Sequence, residues 1–208
     1  MDTATTIPEE KPLVYSQVRA SIQDGDIILF QGARKLSRAI RRVAHSAYSH
    51  VGLVLTWYGR RVLLSAEMPK VQALPLGLAV VGYRGRVDWY RLTPAARAAL
   101  DIDRLALEAL SNLGVEYGAT TLLSLAAHYS LGLPPKDDAE EAGEATPHTM
   151  VCSEYVSRCF RKAGLDLSSR SDVETDPGEI ARSPHIEFVG TLQRELESVE
   201  QARSEKAL

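Results

Sequence analysis

The chain has 208 residues, 45% of them hydrophobic and 25% charged, enough apolar content for one substantial core and close to the globular average, which excludes a disordered or fibrous protein. Lys and Arg number 24 against 27 Asp and Glu, and the resulting charge of −3 gives no electrostatic reason to expect a nucleic-acid partner. The first residues carry no basic cluster followed by an apolar run, and the most apolar stretch, 119–133, is too short and contains His128, so neither a secretory signal nor a membrane span is read and a cytoplasmic location is expected.

Residues 1–12 hold three Thr, two Pro and two Glu with little apolar content and read as a flexible leader. Residues 13–192 read as a single domain. It opens with a short helix over 13–22, a turn at Asp24-Gly25-Asp26, and a buried strand at Ile27-Ile28-Leu29-Phe30. A helix over 34–45 places Arg34, Lys35, Arg38, Arg41 and Arg42 on the arc opposite Leu36, Ile40 and Val43. That basic arc is suited to peripheral contact with an anionic membrane or a phosphate-bearing ligand, although most such stripes are simply solvated helix faces.

Strands follow over 51–57, 61–67, 71–74 and 87–92, punctuated by Gly59, Pro69, Pro75, Gly82 and Gly85. Trp57 and Tyr58 fall at a hairpin tip, where aromatic residues are more often packed than exposed. Pro94 suits a first helical position, so an Ala/Leu-rich helix is expected over 95–113, then another over 119–131. An acidic loop occupies 134–147, a helix 151–163, and a polar, fraying helical tail 193–208. Strands gathered first and helices later argue for an α+β fold.

Two cysteines are present, Cys152 and Cys159. Seven residues of helix separate them by roughly 10 Å, too far for a disulfide. Cys152 opens a helix, where the dipole lowers a thiol's pKa and free backbone N–H groups can hold an oxyanion. The commoner fate of a cysteine is burial in the core, which is the reading for Cys159. A nucleophile needs a base, and His50 stands at the head of a strand. If the next turn centres on Tyr58-Gly59, paired residues have numbers summing to 117, and His50 then faces Glu67. A carboxylate on one ring nitrogen would leave the other for a thiol. A strand-end histidine beside a rim-exposed glutamate is the equally good structural alternative. Of the other histidines, His148 is an alternative base because it precedes Cys152 by four residues. His45, His128 and His185 carry no such signal. No Cys or His pair has metal-ligand spacing with a second pair elsewhere, so no metal is expected.

Gly25-Asp26-Ile27-Ile28-Leu29-Phe30, Tyr48-Ser49-His50-Val51-Gly52-Leu53-Val54, a Glu after the next strand, and Cys152-Ser153-Glu154-Tyr155-Val156 together resemble the circularly permuted papain-like amidases, the YaeF/YiiX branch of the NlpC superfamily. The resemblance spans about residues 23–190. It implies an α+β papain-like fold, with a small antiparallel barrel or sheet packed against helices, and a thiol hydrolase without a cofactor. Its roles fall on Cys152 as nucleophile, His50 as base and Glu67 as orienting residue. Gly114-Val115-Glu116-Tyr117-Gly118 resembles a Gly-x-x-Tyr segment of unpermuted relatives and makes Tyr117 a further active-site candidate. Asp176-Pro177-Gly178-Glu179-Ile180-Ala181 resembles a late loop without an obvious catalytic role. The resemblance favours amide hydrolysis on a peptide, cell-wall peptide or N-acyl substrate. The alternatives are a lipid-directed acyltransferase, thioesterase or lipase using the same triad, and a non-catalytic binding module on the same fold.

Overall fold

The computed structural model describes residues 8–32, 46–118 and 149–194. The basic helix expected over 34–45, the helix over 119–131, the acidic loop, His45, His128, His148 and nearly all of the polar tail lie outside them.

In chain order the elements are β1 (Pro12–Val14), α1 (Tyr15–Val18) with a 3-10 turn (Arg19–Ser21), β2 (Ile27–Gly32), β3 (His50–Trp57), β4 (Arg60–Ala66), β5 (Val71–Pro75) and α2 (Leu76–Gly82). There follow β6 (Gly85–Leu92), α3 (Pro94–Ala99), α4 (Ile102–Ser111), β7 (Glu116–Tyr117), β8 (Thr149–Met150), α5 (Cys152–Lys162), α6 (Pro177–Ala181) and β9 (Ile186–Gln193). Seven strands form one sheet in the order β1-β9-β6-β2-β3-β4-β5, and β7 and β8 make a separate parallel pair. The fold is thus α+β. The large sheet is open and mixed rather than a closed antiparallel barrel, because β1 runs parallel to β9.

Three further expectations are corrected. Residues 13–22 are not one helix: Pro12–Val14 pairs with β9 before the chain turns into α1. The helix expected over 95–113 is two helices, because Leu100 is extended and Asp101 caps α4 by accepting the Arg104 N–H at 2.9 Å. Trp57 and Tyr58 are not packed: their relative exposures are 52% and 94%, and the rings stack on each other at the hairpin tip.

Alternation along the central strands builds a core on each sheet face. Ile27, Leu29, Val51, Leu53 and Leu64 bury against α5, with Val156 and Phe160 of that helix among their neighbours. Ile28, Phe30, Val54 and Leu63 point the other way and bury beneath α2 with Leu76 and Val80. Each such side chain contributes roughly 1.5–3 kcal/mol relative to exposure, so the sheet is held from both sides.

Two fully buried carboxylates tie elements together, Asp26 at the turn that leads into β2 and Asp88 between Val87 and Trp89 of β6. Asp26 accepts the Gln23 backbone N–H at 2.9 Å, Trp89 Nε1 at 2.8 Å and Arg97 Nη2 at 2.8 Å. Asp88 on β6 accepts the Tyr48 hydroxyl at 2.6 Å, Thr191 Oγ1 of β9 at 2.7 Å and Arg86 Nε at 2.8 Å. A buried charge left unpaired would cost several kcal/mol, so these partners are part of the fold's stability. The second cluster reaches Tyr48, two residues ahead of His50, and thereby fixes where β3 begins.

Candidate active site

The hairpin β3–β4 turns through two residues, Tyr58 and Gly59, both with positive φ (47° and 73°), as a type I′ turn requires. Leu53 then pairs with Leu64, Val54 with Leu63 and Trp57 with Arg60, all with numbers summing to 117. That register carries His50, the first residue of β3, across from Glu67, the residue after β4. His50 Nε2 lies 3.2 Å from Glu67 Oε1, with the oxygen off the N–H axis, so the contact is an ion pair by distance. The imidazole also contacts the Phe30 ring, with centroids 5.4 Å apart.

Cys152 reaches the same imidazole from α5, which packs against β3, β4 and α4. It is buried beside the His50 ring, and that ring and the backbone N–H groups of Val51 and Ser153 act on its thiol. Because Nε2 is turned to Glu67, Nδ1 is the nitrogen left for the thiol. Burial pushes the thiol pKa up, but the His50 charge, its hydrogen bond and the two backbone donors overcome this and hold it below the ordinary value. His50 is the mirror case. Burial opposes its charge, while Cys152 and Glu67 favour it and raise its pKa. Glu67 is held below the usual carboxylate range, first by His50, against burial, with help from Ser65 and Gln72.

The start of α5 has its own support. Glu154 Oε2 accepts the Val151 N–H at 3.3 Å, tying the first turn to the residue before it. Cys159, by contrast, is fully buried in the core, and burial raises its thiol pKa. The two cysteines remain free.

Tyr117 is brought to this place by β7. Its N–H donates to the Pro69 carbonyl at 2.8 Å, and it pairs with Met150 of β8, two residues before Cys152. Half-buried, its hydroxyl is kept protonated by burial first and by the nearby Cys152 and Glu67 charges second. The segment at Asp176 is a helix cap: Oδ1 accepts the N–H groups of Gly178 and Glu179 at 2.6 and 3.1 Å. His185 sits at the surface cleft lined also by Asp166, Arg182 and Ser183, on another part of the domain.

Two residues of the site escaped sequence reading. Ser65 Oγ donates to Glu67 Oε1 at 3.3 Å, and Gln72 Nε2 donates to Oε2 at 2.9 Å. Their signal was available in principle, since Ser65 and Gln72 pair across β4 and β5 and share the face of Glu67.

With fold and site in view, the comparison with solved structures is decisive for architecture. The crystal structure of the metalloprotein YiiX from Escherichia coli O157:H7 superposes with a TM-score of 0.58 at 19% identity, covering 82% of this chain and 98% of that one. The chain shares the fold of YiiX. No family model matches the chain, and no curated protein matches it. The YiiX fold is therefore established here by shape, over nearly the whole of that protein, and activity must be argued from the residues. Among the described residues no helix is long and apolar enough to cross a membrane.

Proposed function

We propose that the chain is a papain-like cysteine hydrolase that cleaves an amide bond in a peptide, cell-wall peptide or N-acyl substrate. The observation that carries this reading is the His50 imidazole set between two partners, the buried Cys152 thiol at the start of α5 and the Glu67 carboxylate 3.2 Å from Nε2. A merely structural cysteine has no need of a buried, charge-stabilised imidazole, whereas a nucleophile does.

In this mechanism the Cys152 thiolate attacks the amide carbonyl carbon, and the carbonyl π electrons move to oxygen. The backbone N–H of Cys152, with the Tyr117 hydroxyl, holds that oxyanion. As the C–N bond breaks, the His50 imidazolium gives its proton to the leaving nitrogen. The thioester is then attacked by water, which loses a proton to His50, and the acid departs as the thiol leaving group is restored. Glu67 keeps the ring oriented and supports its charged form.

YiiX is described as a metalloprotein, so the fit of a metal to these residues matters. Here the His50 imidazole is already engaged by both neighbours, the Cys152 thiol and the Glu67 carboxylate. Among the described residues no three His, Cys, Asp or Glu side chains are grouped to hold an ion. The residues do not fit a metal centre, and no step is routed through one.

The lipid-directed alternative gains one observation, the exposed Trp57–Tyr58 pair. However, that tip is seven residues along β3 from His50, roughly 23 Å, too far to hand an acyl chain from a membrane to Cys152.

The test is iodoacetamide labelling at pH 6, mapped by peptide mass for Cys152 and Cys159, in the wild type and in His50→Ala. Cys152 is expected to label much faster than Cys159, and the advantage to collapse in the variant. Equal, slow labelling of both cysteines in both proteins would refute the hydrolase reading and favour a binding module.

A further inference from the structure

Glu67 is a poorly tethered residue for the task assigned to it. It stands one position beyond β4, its backbone N–H reaches the Lys70 carbonyl only at 3.4 Å, and its side chain is 40% exposed. A glutamate in that position has three rotatable bonds and water within reach, so the His50 contact alone would compete with solvation. Ser65 donates to Oε1, the oxygen that faces His50, but Ser65 belongs to Glu67's own strand and sets no distance to the neighbouring strand. Gln72 does. It comes from β5, lies directly across from Ser65 in the ladder, and donates its amide N–H to Oε2, the oxygen turned away from His50, at 2.9 Å.

We infer that Gln72 is a positioning residue of the site, its side-chain amide pinning the Glu67 carboxylate against His50 from the neighbouring strand. The inference rests on the hydrolase reading and extends its triad by one member. The amide nitrogen must face the carboxylate, because an ionised carboxylate only accepts. Gln72 does not touch the reacting atoms; it acts through Glu67.

Gln72 has two physical effects on His50, and they have opposite signs. By holding Glu67 in place it keeps a negative charge near the imidazolium and favours the charged ring. By donating to Glu67 it also withdraws some of that charge and disfavours it. A positioning role means that the first effect is the larger.

Iodoacetate alkylation of Cys152 reads this directly, because the anionic reagent needs the thiolate to react and the imidazolium to draw it in. In Gln72→Met, similar in length but without a donor, the alkaline limb of the rate profile is expected to move to lower pH by about half a unit. That is about a threefold change in the imidazolium-to-imidazole ratio, the size of one modest hydrogen bond, with the acid limb unmoved. Gln72→Asn, which stays polar but falls short of Oε2, gives the same shift and stands in if the Met variant does not fold. In a Glu67→Gln background neither substitution moves the limb further.

A limb that stays put or moves to higher pH, or a shift that persists without the Glu67 charge, would overturn the inference. Failure of the underlying reading looks different: Cys152 alkylation in the wild type would then be indifferent to His50→Ala.

Discussion

Replacing Glu67 by Gln removes one charge while keeping the side chain's size, and its consequence can be worked from the geometry. At the observed 3.2 Å the attraction to the imidazolium is about 5 kcal/mol at an effective dielectric of 20 and about 1.3 kcal/mol in bulk water. Glu67 is 40% exposed and its oxygen lies off the N–H axis, so screening pulls the value toward the lower figure, about 1.5 kcal/mol. That is about one pH unit in the ionisation of His50. The raised His50 pKa sets the alkaline limb of Cys152 alkylation by iodoacetate, since the imidazolium is lost as pH rises through it. The acid limb is set by the thiol, whose depressed value comes from His50 and backbone donors rather than from Glu67. In Glu67→Gln the alkaline limb should therefore fall by about one unit while the acid limb moves by less than about a third of that. Equal movement of both limbs, or of neither, would show that Glu67 does not act through the imidazole.

Other substitutions test separate parts of the structure. Tyr117→Phe should leave Cys152 alkylation within about twofold, yet lower kcat on an N-acyl amide about tenfold or more with KM little changed, if the hydroxyl holds the oxyanion. Asp88→Asn leaves Arg86 without its buried counter-charge and should cost about 3 kcal/mol in urea unfolding; a loss below about 1 kcal/mol would contradict the role given to that cluster. Tyr58→Asn places a residue tolerant of positive φ in the first turn position and should raise stability by about 0.5 kcal/mol in the same assay, with no change at Cys152.

The hairpin was the most legible part of the chain because a two-residue turn leaves no freedom in register. Once Tyr58-Gly59 is the turn, the His50–Glu67 juxtaposition follows by counting. The helix of Cys152 was equally plain, since its apolar periodicity is unbroken and Gly164 ends it in a left-handed conformation. Elements decided by their surroundings were not legible. Leu76–Gly82, for which the sequence predicts no element, contains two glycines and two valines, yet it is helical because Leu76 and Val80 fill the core beneath it. In β9 a register shift opposite Trp89 and Tyr90 breaks the alternation, and Gly190 has no side chain to mark its face. That glycine is needed: a Cβ there would come within 2.4 Å of Leu13 Cδ1 and 2.8 Å of the Lys11 carbonyl, the crossing point of β1. The break at Asp101 lies inside a run of Ala and Leu that reads as one helix, and it shows only in the extended Leu100 and the Asp101 cap on the Arg104 N–H. Asp88 carries its own signal, an acid between Val87 and Trp89, but Tyr48 and Thr191, which close its cluster, are distant in sequence and no local pattern names them.

The sheet divides the interior into two compartments, and the thiol and its imidazole draw on different ones. Cys152 is anchored in the compartment of α5, whereas the ring of His50 leans on Phe30 in the compartment of α2. The spacing of the pair is thus a caliper laid across the sheet's rim, and slackening on either side opens it. Under mild denaturant, the privileged reactivity of Cys152 should fade while the strands themselves still stand, making this one sulfur an early gauge of the whole domain's tightness.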